Sequence, residues 1–258
     1  MNKISIPQAL LVFAIWALLT FVLKYVIGED ETNIPLSKLV TEKLNYGIFF
    51  AALSLVLFSF LLKCRVRVGL VARAPFYNKI LIVPLLIILI SLAGSYYGGA
   101  FSDRSLIKWV LINTFFVGMS EELMFRGFLM SSFTNKFGYW PAVIWSSALF
   151  GAVHVINGFT TGEFGLAAIQ ALFAMSSGLL FLAVRVKTLS IIPAMFVHWI
   201  WDFTVFVSGS IERSADNPLT LIPPVMLLLG PVIFGIMGIL ALRNRDSAER
   251  YTDSQVIR

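Results

Sequence analysis

The chain has 258 residues and a formal net charge of +6, yet only 13% of it is charged and 58% is hydrophobic, with a mean hydropathy of +0.86. A soluble domain carries about 25% charged residues and must cover its surface with something polar, so this composition excludes a water-soluble globule. The basic residues fall in short segments between apolar runs, which speaks against nucleic-acid binding and fits the loops of a polytopic membrane protein.

In chain order, Lys3 precedes an apolar run from Pro7 to Leu23 that superficially resembles a secretion signal. The run is long, and Lys24-Tyr25-Val26 follows it instead of a small-residue cleavage site, so it reads as a retained first span. Crossing a bilayer core takes about 20 mainly apolar residues in a helix. Eight segments qualify: 7–27, 45–62, 80–97, 106–130, 141–157, 166–184, 188–208 and 219–242. Lipid offers no partner to an open strand edge, so each is read as a helix.

The loops test this count. With the N-terminus inside, the loops 63–79, 131–140 and 185–187, the tail after Leu242, Lys3 and the membrane-edge Arg126 carry 14 of the 20 Lys and Arg residues. The opposite side holds Glu29, Asp30, Glu31, Glu42, Asp103, Glu163, Glu212 and Asp216 with only six basic residues. The expected fold is therefore all-α, a polytopic helix bundle of about eight transmembrane helices with both termini cytoplasmic. No internal repeat or long linker divides it, so residues 1–258 read as a single integral membrane domain. The lone cysteine, Cys64, rules out an intrachain disulfide and reads as a bystander among Lys63, Arg65 and Arg67. Gly94 and Gly98 form a GxxxG pair suited to close helix packing, and Pro84, Pro193, Pro223, Pro224 and Pro231 are expected to kink spans.

The interrupted spans carry the chemistry. A charged side chain at the bilayer centre costs about 2.5–3.5 kcal/mol even on the lenient insertion scale, so Glu121, Glu122, Arg126 and Asp202 must face one another or a wet cavity. Residues four apart share a helix face, whereas adjacent ones diverge by about 100°. Glu122 and Arg126 are thus placed to pair, and Glu121 is expected to point elsewhere with its carboxylate free. Phe150 and His154 share a face of the fifth span, and His198 and Asp202 share one of the seventh. These are the only two histidines in the chain, and both fall inside predicted spans. Taken singly, each has a bland reading: a histidine bonded between helices, a structural Glu122–Arg126 pair, an Asp202 bonded to a neighbouring backbone, a Phe150 in the core. Together they form a set suited to amide hydrolysis. A carboxylate in a low-dielectric cavity can take a proton from water, one imidazole can hold that water or bind a metal, and another can stabilise an oxyanion. Two histidines with carboxylates also match a zinc site, or that of another divalent metal, drawn from His154, His198, Glu121 and Asp202. The soluble HExxH signature is absent.

Glu121-Glu122-Leu-Met-Phe-Arg126 matches EExxxR, Phe150-Gly-Ala-Val-His154 matches FxxxH, and His198-Trp-Ile-Trp-Asp202 matches HxxxN/D. In this order and spacing the chain resembles the CPBP (CAAX protease and bacteriocin-processing, Abi) family of intramembrane proteases, which includes the Ras-converting CAAX prenyl endopeptidases. The resemblance covers about residues 104–208, which it marks as a catalytic core; residues 1–100, with three spans, the last span in 209–242 and the basic tail 243–258 carry no such signature. It implies Glu121 as general base assisted by His154, His198 and Asp202 stabilising the oxyanion or completing a metal site, and Glu122 and Arg126 in support. The prenyl endopeptidases have asparagine where this chain has Asp202. An ionised aspartate cannot donate to an oxyanion, so it must be protonated, ligate a metal or orient His198. The expected partners are a hydrophobic or lipidated peptide or a membrane-protein substrate, in a bilayer that the simple loops assign to a bacterial plasma membrane, with no nucleic acid. Two other functions fit the sequence: a non-catalytic bacteriocin-immunity or other binding protein of this fold, and a proton-coupled transporter with Glu121, Asp202 and the histidines as a relay, although no inverted repeat relates the halves.

Overall fold

The N-terminal span begins at a built cap: Ser5 accepts from the Gln8 amide while the Gln8 side chain reaches back to the Ser5 amide, and Pro7 sits in the first turn. In the computed structural model, which describes residues 3–27, 33–71, 78–211 and 217–256, this cap opens helix α1, Ile6–Val26, with a π turn at Leu18–Val22. Glu29, Asp30, Glu31, Glu212 and Asp216, and the basic Arg73, Arg213 and Arg258 counted with them, lie outside the described residues.

A short helix α2, Lys38–Thr41, leads to α3, Tyr46–Leu61, whose first turn is capped by the Asn45 side chain. Helix α4 is Lys79–Tyr97 and α5 is Arg104–Glu121, the latter started by Asp103, which accepts from the Ser105 and Leu106 amides. Helix α5 does not stop at its last residue. It passes through a π-helical segment, Glu122–Leu129, into α6, Met130–Phe137. Gly138, at φ 85°, then turns the chain sharply into α7, Tyr139–His154, a conformation that costs glycine little. The remaining helices are α8, Asn157–Thr161; α9, Phe164–Thr188; α10, Ile192–Ser208; α11, Pro218–Leu242; and α12, Arg245–Val256. No strand occurs among the described residues. The fold is an all-α bundle.

Each of the eight apolar segments expected from sequence contains a helix. Among the described residues five helices, α1, α4, α7 with α8, α9 and α11, are long and apolar enough to cross a membrane; α3 and α10 are shorter apolar helices. Connections gather at two ends of the bundle. At one end the Ile34 amide donates to Thr160 O and the Asn217 side chain to Tyr97 O. At the other, the Ile191 amide donates to Gly69 O, Arg185 Nη2 to Arg67 O and the Tyr139 hydroxyl to Leu242 O. Cys64 is buried at that second end, where burial pushes its thiol up to about 11.

Helix α9 is the hub, packing most extensively against α11 and α7, while α5 packs against α10. Small residues permit these approaches. The GxxxG pair works as expected for its first glycine, since a Cβ at Gly94 would lie 2.9 Å from Pro223 of α11. A Cβ at Gly118 would lie 3.0 Å from the Trp199 amide, and this close crossing of α5 and α10 brings the end of α5 beside His198. Helix α1 is part of the same core: Trp16 is fully buried with its ring 5.3 Å from that of Phe125 in the π segment.

Candidate active site

At the junction of α5 and the π segment, Glu121 and Glu122 meet a single imidazole. His198 Nδ1 lies 2.8 Å from Glu122 Oε1, and its Nε2 lies 3.6 Å from Glu121 Oε2 and 3.4 Å from Asp202 Oδ2. A carboxylate only accepts, so Nδ1 carries the proton it shares with Glu122. Glu122 Oε1 also accepts from Arg126 Nη1 at 2.9 Å, which is the i, i+4 pair expected from the sequence. Glu121 faces the other ring nitrogen from this pair, and its Oε2 makes no hydrogen bond. The segment with i→i+5 bonding begins one residue later, at Glu122.

Exposure separates the carboxylates by role. Glu122 and Arg126 are 0% exposed, whereas the side chains of Glu121 and Asp202 are 15% and 20% exposed. Only the latter two reach free space, so Glu122 can act only through His198 and Arg126. Its fixed charge orients one and offsets the other.

Phe150 holds the group together. Its ring centroid is 3.8 Å from Arg126 Cζ, a cation–π contact out of water, and its edges meet His154 at 5.0 Å and His198 at 5.9 Å. The Phe150 carbonyl accepts from His154 Nδ1 at 2.7 Å, which fixes that ring and leaves Nε2 as the acceptor of the neutral imidazole. Phe181 of α9 stacks on His198 at 4.7 Å. Gly178, one turn earlier on α9, makes room for the pair beneath: a Cβ there would lie 2.6 Å from Arg126 Nη2 and 2.9 Å from Phe150 Cδ1. Gly178→Val is therefore expected to overpack the site at a cost of about 1–3 kcal/mol. It should lower the apparent melting temperature in detergent and displace Arg126. An unchanged melting temperature with normal activity would remove the packing argument.

Glu121, His154, His198 and Asp202 all line one cavity of about 410 Å³. Its walls are otherwise mainly apolar: Thr20 and Phe21 of α1, Leu36 and Leu39, Val117 of α5, Phe173 and Phe181 of α9, and Leu227 and Pro231 of α11. Asn157 of α8 and Gln170 of α9 add a hydrogen-bonded amide pair, Nδ2 to Oε1 at 2.9 Å. The four titratable residues come together; Glu122 and Arg126 sit behind them, and Phe150 bridges the two layers. The α1, α2 and α9 contributions had no sequence signal, because an apolar residue reads the same whether it faces lipid or a cavity.

Zinc or another divalent metal would need three well-placed donors. Among the described residues no three His, Cys, Asp or Glu side chains are grouped so as to hold a metal ion. Both histidines engage Nδ1, with Glu122 and with the Phe150 carbonyl, which leaves each Nε2 open, but among the described residues no third donor is grouped with them. The donor set is not assembled, and no step below is routed through a metal.

Residues 103–204 match the family described as Type II CAAX prenyl endopeptidase Rce1-like. The match covers 102 of the chain's 258 residues. It contains α5 through most of α10, and with them all seven residues named above from the three motifs. Helices α1 to α4, α11 and α12 lie outside the match, although α1 and α11 wall the cavity. No curated protein and no solved structure matches the chain. The family that this segment matches is one of proteases, and among the described residues five helices are long and apolar enough to cross a membrane.

Proposed function

We propose that the protein is an intramembrane endopeptidase that uses Glu121 to activate water against a peptide bond of a hydrophobic or lipidated substrate. The observation that carries this reading is the meeting of Glu121, His154, His198 and Asp202 on one mainly apolar cavity. Such a cavity takes an apolar chain and concentrates its few polar groups where the bond is to be cut.

In this reading the chain is one integral domain whose catalytic core is 104–208, seated in a bacterial plasma membrane. A water molecule lies between Glu121 and His154 Nε2. Glu121 takes its proton as the water oxygen adds to the scissile carbonyl carbon, and the carbonyl π electrons move to oxygen. The N–H on His198 Nε2 stabilises that oxyanion, with Glu122 holding the ring and Arg126 holding Glu122. Glu121 then gives its proton to the leaving nitrogen as the C–N bond breaks, releasing a carboxylic acid and an amine. Asp202, beside His198 Nε2, holds the imidazolium between turnovers.

The test is cleavage of an internally quenched hydrophobic peptide, and of a prenylated one, by the purified protein with and without chelator. Cleavage that survives chelation is expected. No cleavage of either class removes the protease reading, and loss of cleavage on chelation replaces the glutamate route with a metal one. Asp202 gives a second test. Asp202→Asn supplies an amide donor to the oxyanion and is expected to keep turnover within about tenfold, whereas Asp202→Leu is expected to lose about 10²–10³ in kcat. If the asparagine variant is as inactive as the leucine one, a carboxylate is required at this position.

A further inference from the structure

A peptide that enters a mainly apolar cavity carries its own N–H and C=O groups with it, and each one left without a partner there forfeits a hydrogen bond it had in water. The four titratable residues serve the bond that is cut, so the neighbouring backbone must be met by other side chains. Among the hydroxyl and amide side chains of the wall, Ser120 and Ser177 are only 2% and 4% exposed, and the Thr20 hydroxyl is buried. Asn157 and Gln170 remain, and both are half-buried.

The turn after α7 sets Asn157 in register with His154. The amides of Val155, Ile156 and Gly158 donate to Ala152 O, Val153 O and Val155 O, an i→i+3 pattern in which residues three apart eclipse. Asn157 therefore shares a face with His154, about 6 Å further along the axis at a rise of about 2.0 Å per residue. Gly158, where a Cβ would lie 2.5 Å from Phe164 Cδ1, lets α8 fold against the first turn of α9. Asn157 Nδ2 then donates to Gln170 Oε1 at 2.9 Å. Two side-chain amides hold four N–H groups and two carbonyl oxygens, and this bond uses one N–H and one oxygen lone pair. Among the described residues, Asn157 Oδ1 and the N–H groups of Gln170 Nε2 take no other partner.

We propose that Asn157 and Gln170 form a backbone clamp in the active-site cavity, holding one residue of an extended substrate about two residues from the bond that is cut. The clamp depends on the proteolytic reading for the cavity's occupant. An extended residue shows its N–H and C=O on one side, as in the hydrogen-bonded pairs of an antiparallel ladder. Asn157 Oδ1 accepts from that N–H, and Gln170 Nε2 donates to that C=O. The offset follows from the about 6 Å between the levels of His154 and Asn157 and the about 3.3 Å that each extended residue spans. A grip on the backbone is indifferent to side-chain identity. It favours extended peptide over helix, whose N–H and C=O groups already bond one another.

The experiment uses a fluorescent hydrophobic peptide and a series in which each backbone amide in turn is replaced by an ester, which deletes one N–H and leaves the side chains intact. Affinity for the full-length Glu121→Gln protein in neutral detergent is read by anisotropy, and KM and kcat are read by cleavage with Glu121 present. One ester is expected to bind about five- to tenfold more weakly than the parent, the loss of one buried hydrogen bond, with the change in KM and not in kcat. Asn157→Leu should weaken the parent by a similar factor and bind that ester no worse than the parent. Gln170→Glu at pH 8 keeps the oxygen to which Asn157 donates and removes both N–H groups. It should therefore melt like wild type and still bind the parent about tenfold more weakly, which a mere tie between α8 and α9 would not do. The absence of any ester-sensitive position, no binding of any peptide, or a position that stays sensitive in Asn157→Leu would overturn the proposal. So would unchanged parent affinity in Gln170→Glu. An ester-sensitive position with no cleavage keeps the clamp and removes the protease, and cleavage with no ester-sensitive position does the reverse.

Discussion

Glu121→Gln is expected to insert and fold normally and to lower kcat by about 10²–10⁴, the range general-base catalysis supplies. The substitution preserves shape and removes only the ability to accept a proton. Glu121 Oε2 is 3.6 Å from His198 Nε2 and makes no hydrogen bond, so little of the fold depends on it. KM should change little, because the cavity wall is untouched. The measurement is steady-state cleavage by detergent-purified protein, with circular dichroism and size-exclusion profiles matched to wild type. Retained turnover would take the role of base away from Glu121.

The second large effect belongs to Arg126. Replacing it with methionine keeps much of the stem but takes the guanidinium away from Glu122, which is 0% exposed and keeps its bond to His198 Nδ1. Breaking a buried pair by removing one partner costs about 3–5 kcal/mol, because the other charge remains stranded. Arg126→Met should therefore lower the apparent melting temperature markedly and abolish activity through misplacement of His198. The double variant Arg126→Met with Glu122→Gln should recover much of the stability, since no charge is left unpaired, while activity stays low because the amide holds the imidazole less well. If the single variant melts like wild type, the pair is not a structural element of the site. If the double variant remains as unstable as the single one, the cost comes from lost packing over Phe150, whose ring lies 3.8 Å from Arg126 Cζ, and not from charge.

The fold and the polar cluster were legible for one physical reason: polarity is expensive in lipid. Apolar stretches of membrane-spanning length marked the helices, and the ionisable residues interrupting them marked the site. The i, i+4 spacing found the Glu122–Arg126 pair, and it placed His198 with Asp202, now seen 3.4 Å apart. What could not be read follows from the same physics. Adjacent glutamates diverge in a regular helix, and nothing in Glu-Glu-Leu-Met-Phe-Arg announces that the two face opposite nitrogens of one imidazole, or that a π segment begins at Glu122. Phe181 and Gly178 resemble any apolar helix residue until Phe181 is found stacked on His198 and Gly178 under Arg126. Thr20 and Phe21 gave no sign that the first helix walls the cavity. The basic tail carries no family signature, yet Arg245–Val256 is a helix that buries Tyr251 against Arg185.

The measurement closest to the central claim is mass spectrometry of the products formed from a hydrophobic peptide in ¹⁸O-labelled water. Wild type is expected to give a new carboxyl group carrying the label and a free amine on the other fragment, with no products from Glu121→Gln. An intact peptide with wild type, or labelled products in equal yield from Glu121→Gln, would contradict the account.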